Sequence, residues 1–200
     1  MLNGRVFCYD SAERKGKQEG KEKMLKRFYP DLYLTSAYQI EYEKLYEEGY
    51  RGIIFDIDNT LVEHGAPADE RSMELIARLK KIGYRIFLLS NNKEPRVKLF
   101  NDAVQVSYIY KAGKPGVKGY QKAMERMGTD ASTTLFVGDQ LFTDVWGAKK
   151  AGIFTCLTQP IDPREEIQIV LKRYLEKIVL FFYRQDCIRN GKQFLMGGSK

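Results

Sequence analysis

Five short apolar runs alternate with stretches of helical periodicity between residues 51 and 158, and this alternation most constrains the fold. The runs are residues 53–55, 84–89, 106–110, 134–137 and 153–157. Between them, residues 72–82 repeat apolar positions at helical spacing and are closed by Gly83. A mixed helical stretch runs through Phe100, a third helix follows Pro115 and ends at Gly128, and a fourth covers residues 143–151. Strands this short and apolar, separated by helices of about ten to fifteen residues, are buried on both sides. The expectation is an α/β domain of the Rossmann-like three-layer α/β/α kind with a mostly parallel sheet. Its chemistry belongs in the loops beyond the carboxyl ends of the strands.

The flanks read differently. Tyr38, Tyr42, Tyr46 and Tyr50 recur every four residues ahead of the first run, which places them on one face of a helix packing on its own domain. Residues 10–23 carry charge, Gly and Ser without a large hydrophobe, a composition that does not offset its ordering entropy. Met24 to Phe28 reads as an alternative chain start. The expected organisation is a basic tail over residues 1–23, a catalytic domain over 24–163, and an amphipathic helix and tail over 164–200. In that last segment Ile167, Leu171, Tyr174, Ile178 and Phe181 form an apolar stripe. Such a helix either covers the sheet or lies on an anionic membrane surface.

Charge and cysteines narrow the partners. The chain has 33 Lys and Arg against 26 Asp and Glu, net +7. Residues 1–30 and residues 164–200 each hold eight basic and four acidic residues, while the stretch between holds seventeen and eighteen. The neutral body has no basic stripe interleaved with stacking aromatics, so nucleic acid is not expected as a partner. Cys8, Cys156 and Cys187 show no CxxC spacing, which suits a reducing, cytoplasmic setting. The N-terminus lacks a signal or transit pattern. No run approaches the ~20 apolar residues of a spanning helix.

Four carboxylates stand at two strand ends. Asp56 and Asp58 leave the first run on the same side, because strand side chains alternate with period two. Asp139 follows the fourth run, and Asp144 lies five residues on. Acids leaving such apolar strands demand a cation, and an oxygen-rich set suits Mg²⁺. Between these pairs, Ser90 closes the run at 84–89 with Asn91 and Asn92 beside it, and Lys114 precedes Pro115. Hydroxyl, amide, ammonium and divalent cation are the donors that hold a tetrahedral phosphate. Thr60 reads as a turn former, His64 as a surface group in a flap, and Trp146 as a core or interface ring.

This ordered set resembles the haloacid dehalogenase superfamily: DxDNT at residues 56–60, a strand ending in Ser90, Lys114 followed by Pro115, and GDxxxxD at residues 138–144. The resemblance implies Asp56 as nucleophile forming an aspartyl-phosphate, and Asp58 as general acid and then base. It implies Ser90, Asn91 and Lys114 around the phosphoryl oxygens, with Lys114 also counted as catalytic. Mg²⁺ would be held by Asp56, the carbonyl of Asp58, and Asp139, with Asp144 supporting from behind.

Asp58 to Ser90 spans 32 positions and Ser90 to Lys114 spans 24, too few for a cap domain of ~50 residues. By family analogy, an uncapped site serves a macromolecule or lipid headgroup. MLKRFYPD, FDIDNTLV, SNN, YKAGKP and VGDQLFTDVWGAKKAG further resemble the YqeG-type group of subfamily IIIA. That group is similar to mitochondrial phosphatidylglycerophosphate phosphatase. The implied reaction removes the terminal phosphate of phosphatidylglycerophosphate in phospholipid biosynthesis, by an enzyme that is cytoplasmic or peripheral on the inner membrane face. A phosphatase for a nucleotide, sugar phosphate or nucleic-acid end is a second reading. A non-catalytic membrane or partner adaptor is a third.

Overall fold

The structure, a computed structural model, describes residues 25–162 and 167–190, with the side chains of the last helix described from Lys172. The expected tail over residues 1–23, the possible start at Met24, Cys8 and the stripe positions Ile167 and Leu171 lie outside these backbone or side-chain descriptions. Six strands form one sheet: β1 (Leu32–Leu34), β2 (Gly52–Phe55), β3 (Arg85–Leu89), β4 (Ser107–Ile109), β5 (Thr134–Gly138) and β6 (Phe154–Thr158). Their order is β1-β6-β5-β2-β3-β4, and every neighbouring pair is parallel. The helices are α1 (Tyr42–Glu47), α2 (Glu70–Ile82), α3 (Glu94–Val104), α4 (Lys118–Met127), α5 (Trp146–Lys150) and α6 (Ile167–Arg189).

The two-residue period of the strands divides the core. Ile53, Phe55, Leu88, Leu135 and Val137 pack with Leu75 and Leu79 of α2 and Val97 and Phe100 of α3. Ile54, Phe87, Leu89 and Phe136 pack with Tyr120, Ala123 and Met127 of α4 and Ala148 of α5. Helices thus cover both faces of the parallel sheet, as the apolar runs predict. No cap domain interrupts the segments from β2 to β3 or from β3 to α4.

Local chemistry sets the helix ends. Asp69 and Ser72 form a reciprocal capping box at the start of α2, and Gly83 ends it in the left-handed conformation at φ 111°, where a side chain is disfavoured. Two elements depart from the sequence expectation. The tyrosine segment is a 3₁₀ turn over Ala37–Gln39 followed by α1, because the chain turns extended at Ile40. All four tyrosines nonetheless pack on the domain core. Helix 143–151 begins as a π-helical turn over Leu141–Val145 before α5.

The edge strand β1 was absent from the pattern, since three residues carry too little period to read. Side-chain bonds hold it in place. Asp31 accepts from the Thr155 backbone N–H at 2.9 Å and hydroxyl at 2.7 Å, and its other oxygen pairs with Lys149 at 2.8 Å.

The C-terminal helix packs back on the body. Val179 joins Leu141, Val145 and Leu157, while Tyr183 and Cys187 pack with Tyr29 and Tyr33. Its buried set is Glu176, Val179, Tyr183 and Cys187, whereas Tyr174, Ile178 and Phe181 of the expected stripe are exposed. These three stripe positions therefore mark the outer surface, and the inner face includes a carboxylate that periodicity would assign to solvent.

Removal of the Asp31 carboxylate would leave Thr155 and Lys149 without their acceptor. Asp31→Ala is expected to lower stability by about 1–3 kcal/mol in urea unfolding. An unchanged midpoint would show that β1 does not depend on this anchor.

Candidate active site

From β2 the chain proceeds outward to β3 and β4, then returns to place β5 on the other side of β2. That reversal opens a crevice at the carboxyl ends of β2 and β5. Phe55 is in register with Val137 and Leu88, so Asp56 leaves β2 level with Gly138 and Leu89, one residue before Asp139 and Ser90. Asp56 donates its backbone N–H to Val137 O at 2.9 Å, which extends the pairing one residue beyond the strand.

Lys114 reaches the centre from the loop before α4. Its Nζ stands 2.7 Å from Asp56 Oδ1 and 2.7 Å from Asp144 Oδ1. Burial opposes the charge of Lys114, but the Asp144 and Asp56 carboxylates more than offset this and raise its pKa. Asn91 determines where Lys114 sits: its Oδ1 accepts the Lys114 N–H at 2.8 Å and its Nδ2 donates to Lys114 O at 3.1 Å. Asn91 thus positions Lys114, and the second hydrogen of its amide nitrogen remains for the expected phosphate contact. Ser90 is buried, and its hydroxyl accepts from Asn92 N–H at 3.1 Å.

Asp56, Asp139 and Asp144 each offer a carboxylate oxygen within 4.8 Å of the others, and all three are buried. Burial pushes the Asp56 carboxyl up to about 7, with Lys114 opposing. Burial likewise holds Asp139 well above the ordinary carboxylate range, against the pull of Arg173. Crowded, desolvated oxygen donors of this kind fit a hard divalent cation. Asp144 therefore belongs to the carboxylate cluster as well as to the Lys114 pair. The Asp58 carboxylate lies outside that cluster, which leaves only its backbone carbonyl for the expected metal contact.

Asp58 is held instead by a second set of groups. Gly65 N–H donates to its Oδ1 at 2.7 Å, Asn92 Nδ2 to its Oδ2 at 2.7 Å, and Arg96 Nε to its Oδ1 at 3.0 Å. His64 Nδ1 lies 3.7 Å from Oδ1, on a half-exposed side chain. The expected surface histidine is therefore adjacent to the centre. Trp146 meets Phe28 edge-on, with ring centroids 5.3 Å apart, a packing role as expected.

Three contributors escaped the sequence reading. Thr60, read as a turn former, donates its hydroxyl to Asp139 Oδ1 at 3.2 Å. Arg173 of α6 donates Nη2 to Asp139 Oδ2 and Nη1 to Asp139 O at 2.6 Å. Glu176 accepts from Arg173 Nη1 at 2.9 Å and from Leu141 N–H at 2.7 Å. Arg173, Glu176 and Val179 together tie α6 to this loop, through contacts between distant parts of the chain that a sequence cannot display. Close approach also explains Gly138, where a Cβ would stand 2.6 Å from Asp144 Oδ2.

Residues 65–152 match the family of haloacid dehalogenase-like hydrolases. That span contains Ser90, Lys114, Asp139 and Asp144, with Asp56 and Asp58 just ahead of it. The chain belongs to this family, within its YqeG-type group. It is 38% identical over 159 residues to a protein of Bacillus subtilis described as a probable phosphatase, YqeG, covering 78% of this chain and 92% of that one. It is 26% identical over 168 residues to the chloroplastic and mitochondrial phosphatidylglycerophosphate phosphatase 1 of Arabidopsis thaliana, covering 74% of this chain but 48% of that one. A glyceraldehyde 3-phosphate phosphatase of Pyrococcus abyssi is 31% identical over 91 residues, covering 41% of this chain and 38% of its own length.

A buried carboxyl with a raised pKa binds a proton on folding, so stability is lost as pH rises from its unfolded value of about 4 through its folded value. With Asp56 at about 7 and Asp139 also raised, the metal-free melting temperature should fall between about pH 5 and about pH 8. Added Mg²⁺ should recover it at the upper end. A melting temperature indifferent to both pH and Mg²⁺ in differential scanning fluorimetry would contradict the carboxylate cluster as a cation site.

Proposed function

We propose that this chain is a divalent-metal-dependent phosphomonoester hydrolase acting through an aspartyl-phosphate, with phosphatidylglycerophosphate as substrate. The observation that supports it most directly is Lys114 bridging Asp56 and Asp144 beside Asp139, at the switch point of a parallel sheet. Asp56 is the nucleophile and attacks phosphorus, splitting one difficult displacement into two. Asp58, held outside the cluster by Asn92, Gly65 and Arg96, gives its proton to the leaving alkoxide and takes one from the water that cleaves the acyl-phosphate. Lys114 offsets negative charge on the transferring oxygens while keeping Asp56 oriented. Ser90 supplies a hydroxyl to the same oxygens. Mg²⁺, the cation proposed for Asp56, Asp139 and the Asp58 carbonyl, supplies charge neutralisation and phosphate orientation when bound.

The lipid substrate draws on the similarity to the Arabidopsis phosphatidylglycerophosphate phosphatase and on the exposed side of α6. Tyr174, Leu175, Ile178, Phe181, Phe182 and Ile188 are all exposed and fall within an arc of ~140° on the helix. Lys177 and Arg184 lie beside that arc. An apolar face with a basic margin matches an anionic membrane surface. No helix among the described residues is long and apolar enough to cross a membrane.

Asp56→Asn replaces the attacking carboxylate with an amide whose oxygen can still accept from Lys114, and Asp144 continues to pair with the ammonium, so the fold should survive. Phosphate release from phosphatidylglycerophosphate in mixed micelles should drop by at least about a thousandfold, with an unchanged circular dichroism spectrum. Undiminished turnover would reject Asp56 as nucleophile. For the membrane surface, the double change Ile178→Glu and Phe181→Glu should abolish flotation of the full chain with anionic vesicles. Equal flotation of both forms would remove α6 from the docking surface.

A further inference from the structure

The groups around Asp58 exceed what is needed to hold a carboxylate. Arg96 Nε and Nη2 approach the same oxygen, Asp58 Oδ1, at 3.0 and 2.9 Å. Its Nη1 and Nη2 are both buried, and neither makes a hydrogen bond among the described residues, Nη2 lying only at ion-pair distance from Asp58. A buried guanidinium donor without an acceptor is unfavourable and calls for an explanation. Helix stability does not provide one, since Arg96 lies in the first turn of α3, where the helix dipole disfavours a cation. The rim of this side is not sealed: the Arg96 side chain keeps 14% of its exposure through atoms other than the buried Nη1 and Nη2, and His64 beside it keeps 52%.

The role proposed for Asp58 brings the leaving oxygen within hydrogen-bond reach of its carboxyl. Whatever hangs from that oxygen then enters the space that Arg96 and His64 border. We propose that Arg96, with His64 at the rim, recognises a second anionic group on the leaving alcohol, the substrate being a phosphomonoester whose alcohol carries a phosphodiester. This rests on the hydrolase reading and narrows it. A guanidinium suits the task, because its fork can keep Asp58 on Nε while Nη1 and Nη2 turn to a phosphodiester. Phosphatidylglycerophosphate has this form, for its departing glycerol is esterified to the inner phosphate. Substrate binding thereby supplies the acceptor that Nη1 lacks.

The test compares two soluble phosphomonoesters: glycerophosphoglycerophosphate, the deacylated headgroup, and glycerol 3-phosphate, which lacks the second anion. The wild-type protein should favour the first by about tenfold or more in kcat/KM. Arg96→Gln should remove most of that preference, and Arg96→Lys should retain part of it. Glycerophosphoglycerol, which has no cleavable monoester, should inhibit the wild-type protein competitively and inhibit Arg96→Gln at least about tenfold more weakly. If Arg96 only orients Asp58, both substrates slow together and the ratio stays fixed, which would overturn the inference. A wild-type ratio near one would overturn it as well. Hydrolysis of neither substrate would instead reject the hydrolase reading on which it rests.

Discussion

One buried ammonium organises the centre. Three carboxylates cannot share a desolvated crevice without cations, and Lys114 is the one the chain places between two of them, with Arg173 on the third. Its position is over-determined: Asn91 holds its backbone at both ends, Asp56 and Asp144 hold its tip, and Phe136 lies beneath it, with the ring centroid 5.6 Å from Nζ. Loss of either carboxylate would leave the ammonium partly uncompensated in a buried site, and loss of Lys114 would expose the carboxylates to one another. The arrangement joins loops from three separate strand ends into one electrostatic unit, so the geometry of the proposed phosphate site and the stability of the crevice depend on the same contacts.

The parallel sheet makes this possible. Strands in register bring Asp56 within one residue of the level of Ser90 and Asp139, at the crevice made by the reversal of strand order between β2 and β5. Two regions then differ in character. On the side of β5, buried carboxylates, Thr60 and Arg173 form a tightly bonded floor. On the side of α3, Asp58 meets Asn92, Arg96 and His64, with more exposure and a donor left over.

How far these features could be read from residues depended on their range along the chain. Strands β2 to β6 and helices α2, α3 and α4 follow from runs and periods that extend over enough residues to be seen. Asp56, Asp58, Ser90, Lys114, Asp139 and Asp144 converge because each ends or follows such a run. β1 did not show, being three residues anchored by Asp31 through bonds to Thr155. Asn91 was visible as a neighbour of Ser90, but its pairing with Lys114 spans a chain separation that no local pattern reports. The inner face of α6 was misjudged for a related reason: its most consequential buried group is Glu176, whose burial depends on Arg173 and Leu141 rather than on hydrophobicity.

The clamp from α6 also has a temporal side. Arg173 is added to the chain more than a hundred residues after Asp56, yet it holds Asp139 by both side chain and backbone. A growing polypeptide can assemble the whole sheet and bring Asp56, Asp139 and Asp144 together while α6 is still inside the ribosome. Until that helix emerges and docks, the loop bearing Asp139 lacks its guanidinium support. The order of synthesis thus delays a fully braced centre until after the scaffold has folded, and an abandoned chain ending at β6 would carry the architecture without that brace.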